Sequence, residues 1–210
     1  MITSHATHFI VHSYGRTGSI VLTRNLCRAI GSVENPIPNR HLADPSEFGN
    51  MINSCLPYDV IHTHAIVDDT KNNYTRVFNI RLDPAEVIMS FICAKHYNTY
   101  HKRPTDPQPF VCDYSKQQLI NICQEFINWH TFYSKLLSPN DCVVTYEQLL
   151  SNIQHDHDGR VFRDKRDLIL NFDEVNDTIK SQKIDNSIQP FVEHQNPWDI
   201  YQYIKYSIRF

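Results

Sequence analysis

FIVHSYGRTGSIVLTRNLCRAI, Phe9 to Ile30, opens on an apolar run, Phe9-Ile10-Val11, with the composition of a buried strand. A tight turn follows over Ser13-Tyr14-Gly15-Arg16-Thr17-Gly18-Ser19. A helical pattern comes next, with Ile20, Leu22, Leu26, Cys27 and Ile30 mostly on one side and Gly31 as its C′ residue. Strand, glycine turn and helix together aim backbone N–H groups and the positive end of a helix dipole at an anion. Gly15 and Gly18 let the backbone approach a phosphate with no Cβ between, and Arg16 adds a fixed positive charge. Thr17 and Ser19 add hydroxyl donors. The pattern is not G-x-x-x-x-G-K-[ST], since no lysine follows Gly18, nor is it the dinucleotide pattern G-x-G-x-x-G. Two readings stay open at this point: a phosphate cradle, and an ordinary strand-turn-helix whose glycines close the bend.

Downstream, Asn35-Pro36-Ile37-Pro38 begins a connection, and Asp44-Pro45-Ser46-Glu47 has the cap and proline of a short helix. Strands are expected at Tyr58 to His62, Thr75 to Ile80 and Cys142 to Thr145, with a polar turn from Asp68 to Asn73. Asp83-Pro84-Ala85-Glu86 opens a helix running to about Tyr97. Asn98 to Asp113, with Pro104, Pro107 and Pro109, is a long loop of the kind that serves as a binding lid. Ser115 to Leu137 is the longest helix, with Leu119, Ile122, Cys123, Phe126, Ile127, His130 and Tyr133 at core spacing. A helix is expected around Arg166 to Leu170 and a terminal amphipathic one from Pro197-Trp198. Strands alternating with helices imply an α/β fold, a three-layer α/β/α domain with a mostly parallel central sheet. Ser13 to Ser19, Thr63-His64, Arg81 and Tyr146 then all fall at strand ends on one rim, where such sheets bind ligands.

A length of 210 residues fits one domain spanning 1–210, and 41% hydrophobic with 20% charged residues fits a globular chain. A formal net charge of −3 argues against a general nucleic-acid binder. The start, MITSHATHF, has neither a basic n-region nor an apolar h-region, and no run approaches the ~20 apolar residues of a membrane span. No membrane association is therefore expected. The six cysteines form no C-x-x-C pair and read as buried thiols in a reducing cytoplasm. His155-Asp156-His157-Asp158-Gly159 reads as a polar loop rather than a metal site.

Four of these segments resemble, in order, motifs of sulfotransferases that use 3′-phosphoadenosine 5′-phosphosulfate (PAPS). Tyr14-Gly15-Arg16-Thr17-Gly18-Ser19 resembles the 5′-phosphosulfate loop, written Y-P-K-S-G-T-T or with arginine for lysine. Val60-Ile61-His62-Thr63-His64 is similar to the K-T-H strand end, with His62 in place of lysine. Arg81-Leu82-Asp83-Pro84-Ala85-Glu86-Val87-Ile88-Met89-Ser90 is similar to R-[DN]-P-x-[DE]-V-x-x-S, which binds the 3′-phosphate, with Leu82 as an extra residue. Arg81 reaches a phosphate there only if the strand has ended or bulges; Arg76, Lys95 and Arg103 are the substitutes. Val144-Thr145-Tyr146-Glu147-Gln148-Leu149 resembles the Y-E-D-L signature. No R-K-G-x-x-G occurs, and residues 151–210 match no family segment.

The resemblance implies a PAPS-dependent sulfotransferase domain, leaving 3′,5′-adenosine bisphosphate as product, with no metal. It places Tyr14, Gly15, Arg16, Thr17, Gly18, Ser19 and Ile20 around the 5′-phosphosulfate, and Arg81 and Ser90 at the 3′-phosphate. Tyr146 falls near the adenine, and His64 is the base that deprotonates the acceptor, with His62 in reserve. Taken alone, Ser90 is a neutral mid-helix serine and Tyr146 a half-buried aromatic. Sulfuryl transfer needs cationic and N–H donors at the leaving phosphate, which Arg16 and the turn supply, and a base near neutrality, which histidine supplies. The expected acceptor is a hydroxyl or amine on a small molecule or carbohydrate. Tyr97, Tyr100, Phe110 and Tyr114 suit a ring or sugar face, or equally packing. The rival readings are a P-loop-like nucleotide kinase and a catalytically silent nucleotide-binding protein of the same fold.

Overall fold

The computed structural model describes residues 9–17, 19–30, 39–54, 59–67, 74–98, 106–138, 141–147 and 164–184. They fall into two compact units, Met1–Leu82 with Trp129–Asn152 and Ser187–Phe210, and Asp83–Asn128 with Ile153–Asn186.

The first unit is built on a parallel sheet of β1 (Phe9–Ser13), β2 (Asn39–Leu42), β3 (Val60–Thr63), β4 (Thr75–Ile80) and β5 (Cys142–Thr145), in the order β2-β3-β1-β4-β5. Phe9 is in register with Val60 on one side and Thr75 on the other, so the strand leading into the glycine turn is central. Every residue of β1, β3, β4 and β5 is buried, whichever way its side chain alternates. Burial on both faces is what a parallel sheet covered by helices requires, and it explains why these strands do not alternate strictly between apolar and polar residues. Helix α1 (Ser19–Ile30) packs along β1, β2 and β3 and buries Leu22, Leu26 and Cys27. Burial pushes the Cys27 thiol up to about 11. Phe78, Ile80 and Val143 pack against Trp129 and Tyr133, from the C-terminal part of a long helix. Ile10, Leu42 and Ile61 pack against Phe48 and Val67. Phe48 opens α2 (Phe48–Asn53), which follows a single 3₁₀ turn, Pro45–Glu47, capped as expected by Asp44 accepting from the Ser46 N–H at 2.9 Å.

The second unit holds α3 (Pro84–His96), the first part of α4 (Lys116–Leu136), α5 (Lys165–Leu168) and α6 (Phe172–Ser181). Asp83 caps α3, accepting from the Ala85 N–H at 2.9 Å, with Pro84 in the first turn. Ile88, Ile92, Leu119, Cys123, Ile169, Val175 and Ile179 share its core. The described end of the long loop, residues 106–113, is pinned rather than lid-like. Phe110 donates to the Leu168 carbonyl and accepts from the Leu170 N–H, both at 2.8 Å, and its ring stacks on His96. Tyr97, Phe110 and Tyr114 serve packing in this core; Tyr100 and the rest of the loop lie outside the described residues.

Three features differ from expectation. β2 was not foreseen, β3 starts at Val60 rather than Tyr58, and α6 follows α5 as a separate helix. The expected polar turn at Asp68 to Asn73, the His155–Gly159 loop and the Pro197-Trp198 helix lie outside the described residues.

Candidate functional site

The carboxyl ends of β1, β3, β4 and β5 deliver Tyr14, His64, Arg81 and Tyr146 to one edge of the first unit's sheet. The edge begins with the turn after β1. Arg16 adopts a left-handed φ of 71°, and Gly15 does not. Among the described residues a Cβ built on Gly15 meets nothing within 4 Å, so their packing gives no reason for glycine there. A missing side chain facing open space is what a backbone-lined cradle for a ligand needs. Thr17 is buried, and its Oγ1 lies 3.0 Å from both the Tyr14 carbonyl and Asn79 Oδ1, one proton shared between two acceptors. Asn79 in turn donates from Nδ2 to the Val144 carbonyl at 3.3 Å. The Thr17 hydroxyl, expected as a ligand donor, thus anchors the turn to β4 and, through Asn79, to β5. Ser19 starts α1 and is buried; Ile20 is half-buried. No acidic side chain sits in the first turn of α1 to oppose an anion at that helix end. Gly18 lies outside the described residues.

Ser13, the last residue of β1, holds the histidines. His64 Nδ1 is 2.9 Å from the Ser13 carbonyl and 3.0 Å from Ser13 Oγ. A carbonyl only accepts, so Nδ1 carries the proton and Nε2 the lone pair. Ser13 Oγ also lies 3.3 Å from Nε2 of His62, which is buried at 3% exposure while His64 is exposed. One residue ahead of the glycine turn therefore fixes both the tautomer and the direction of His64. Tyr133 supports the segment beyond it: the Tyr133 hydroxyl accepts from the Val67 N–H and donates to the Ala65 carbonyl, each at 3.1 Å.

Arg81 follows the end of β4 at Ile80, so the strand's side-chain alternation no longer governs it despite the extra Leu82. Its guanidinium carbon sits 4.8 Å above the Tyr146 ring, and its Nε is 3.9 Å from Glu147. The Leu82 N–H also points at the Glu147 carboxylate, 3.3 Å from each oxygen. Arg76, one of the substitutes for Arg81, is excluded. It is buried near the start of β4, donating to Asp141 at 2.8 and 2.5 Å and to the Leu136 carbonyl at 2.9 Å. Lys95 lies over the Tyr114 ring within the second unit, and Arg103 is outside the described residues. Ser90 is a buried residue of α3 in the second unit.

Sequence reasoning missed His41. It stands in β2, in register with His62, and its ring centroid lies 5.2 Å from that of His62 and 5.7 Å from that of His64. The signal that would have found it is a strand, and Asn39-Arg40-His41-Leu42 has no apolar alternation to announce one.

No family model matches the sequence, and no curated protein matches it. Among solved structures, the chain is similar to a crystal structure of retinol dehydratase in complex with androsterone and the inactive cofactor PAP. The identity is 13%, the match covers 89% of this chain and 68% of that one, and the TM-score is 0.43. A second structure of retinol dehydratase, in a complex with retinol and PAP, is 15% identical over 93% of this chain and 66% of that one, with a TM-score of 0.37.

Proposed function

We propose that the chain is a single PAPS-dependent sulfotransferase domain that moves a sulfuryl group to a hydroxyl or amine of a small molecule or carbohydrate. The observation that carries this reading is the hydrogen bond from His64 Nδ1 to the carbonyl of Ser13. It puts the proton on Nδ1 and leaves Nε2 as the basic nitrogen, on a histidine bonded to the residue just before the turn that this reading gives to the phosphosulfate. The four motifs that resemble the sulfotransferase family meet this geometry at two places, the Tyr14-to-Ser19 turn and the Thr63-His64 strand end.

The residues divide the work in a chemically complete way. The donor's phosphate oxygen–sulfur bond breaks as the acceptor oxygen bonds to the sulfur from the opposite side. His64 Nε2 takes the acceptor's proton as that bond forms. Arg16 and the N–H groups of the turn, with the start of α1, hold the charge left on the departing phosphate. Gly15 leaves the space the donor needs. Arg81, seated on Tyr146 and Glu147, offers its cation to the 3′-phosphate, with the Tyr146 ring nearby for the adenine.

The test is turnover of PAPS against a broad panel of hydroxyl and amine acceptors, with wild type and His64→Ala. Turnover by wild type that falls by about two to four orders of magnitude in His64→Ala, with product-nucleotide binding kept, is the expected result. Nucleotide binding with no turnover on any acceptor points instead to the silent shell, and magnesium-dependent ATP turnover to the kinase.

A further inference from the structure

We propose that His41, His62 and His64 form a three-histidine site for a divalent transition-metal ion of the zinc type. One ring nitrogen from each lies within 4.8 Å of the other two. The ligands come from two adjacent parallel strands: His41 is in register with His62, and His64 stands two residues beyond it. Three imidazoles with an open position are a ligand set that zinc-type ions accept, and neutral imidazole suits them better than it suits magnesium or calcium.

The fit needs a modest adjustment that burial makes feasible. Metal–nitrogen bonds of about 2.0–2.1 Å put ligand nitrogens on one ion roughly 3.3 Å apart. The widest spacing here must therefore shrink. His62 is buried within β3 and His64 is held by Ser13, whereas His41 is exposed on the edge strand and is the ligand that moves toward them. A second observation points the same way. His64 donates its Nδ1 proton to a backbone carbonyl, as metal-ligating histidines do with their other nitrogen, which fixes tautomer and ring direction before any ion arrives. The hydroxyl of Ser13 touches both His62 and His64 and orients the pair.

A bound ion takes the His64 lone pair. On the transfer reading above, the metal-loaded protein is therefore the inactive form and the metal-free protein the active one. That consequence rests on the transfer reading; the metal site itself does not.

The experiment is a titration of the full chain with Co²⁺ and Zn²⁺, read by the cobalt visible bands and by calorimetry. It uses wild type, His41→Gln, His64→Gln and, as a control on an exposed histidine of the second unit, His96→Gln. Expected are one ion per chain, affinity at least about tenfold weaker in His41→Gln and His64→Gln, and no change in His96→Gln. Wild type without cobalt bands at micromolar metal, or His41→Gln binding as tightly as wild type, overturns the proposal. Circular dichroism confirms folding, and exposed His41 is the variant that keeps the test valid. In a transfer assay, His41→Gln keeps metal-free turnover and loses inhibition by zinc. Failure of all turnover counts against the transfer reading alone, because the cobalt titration decides the metal site without it.

Discussion

Arg16 stands in the left-handed region at a φ of 71°, a conformation costing a non-glycine residue about 1 kcal/mol or more, while Gly15 beside it does not use its own freedom. The two residues look exchanged if stability alone is considered. They make sense if the cation must point outward from the turn and the neighbouring position must stay bare. Arg16→Gly should then raise stability by up to about 1 kcal/mol in denaturant titration while weakening binding of 3′,5′-adenosine bisphosphate. Gly15→Ala should leave stability within about 0.5 kcal/mol of wild type and weaken binding of the same nucleotide, because its Cβ enters the ligand's space and not the protein's. A Gly15→Ala protein that binds as wild type does would remove the cradle from the account. Residue placement was legible in the sequence where a local pattern carried it, as at the turn after β1 and at His64 beyond the end of β3. It was not legible where a distant partner decides. Nothing in the order of letters puts the Thr17 hydroxyl on Asn79, or Arg81 on Tyr146 and Glu147.

At the scale of elements, the position of His64 depends on a helix far away in sequence. Tyr133 of α4 is fully buried, and its hydroxyl satisfies both the Val67 N–H and the Ala65 carbonyl just after the histidine. Removing that hydroxyl leaves a buried N–H without this partner, at a cost of about 1–3 kcal/mol. Tyr133→Phe should lower the denaturation midpoint by that amount and, under conditions where the variant is folded, reduce turnover more than nucleotide binding. Equal stability to wild type would show that the segment after β3 is held by other contacts. The strands that were foreseen, β1, β3, β4 and β5, are buried on both faces and each carries two or three apolar residues that announce it. β2 is a four-residue edge strand whose side chains carry no such signal. Its pairing with β3, not its own propensity, makes it a strand, and His41 was hidden with it. α6 hid for a related reason: its inward residues, Val175 and Ile179, are few among polar neighbours.

The first unit as a whole is a sheet with the candidate site at its carboxyl edge and a structural ion pair at the other. Arg76 and Asp141 meet with two hydrogen bonds where β4 and β5 begin, both side chains at most 10% exposed. Removing one charge of such a pair leaves the other buried and uncompensated, so Asp141→Asn should destabilise the protein by about 3–5 kcal/mol. Because the pair is remote in register from the turn, the folded fraction should bind nucleotide as wild type does, which urea titration with and without ligand separates. The parallel architecture was legible because alternation of apolar strands with capped helices leaves few alternatives. The division into two compact units was not, because no glycine- or proline-rich linker marks it; the chain leaves the first unit at Leu82 and enters the second at Asp83, the helix cap itself.

On the proposed function, the Tyr14-to-Ser19 turn holds the phosphate of an adenosine bisphosphate nucleotide through Arg16. Calorimetric titration of wild type and Arg16→Ala with 3′,5′-adenosine bisphosphate tests it most directly. Expected are one saturable site in wild type and binding weakened at least about tenfold in an Arg16→Ala protein that remains folded, since a hydrogen bond to a charged group contributes about 1.5–3 kcal/mol. Absence of binding by wild type, or equal binding by the two proteins, would contradict it.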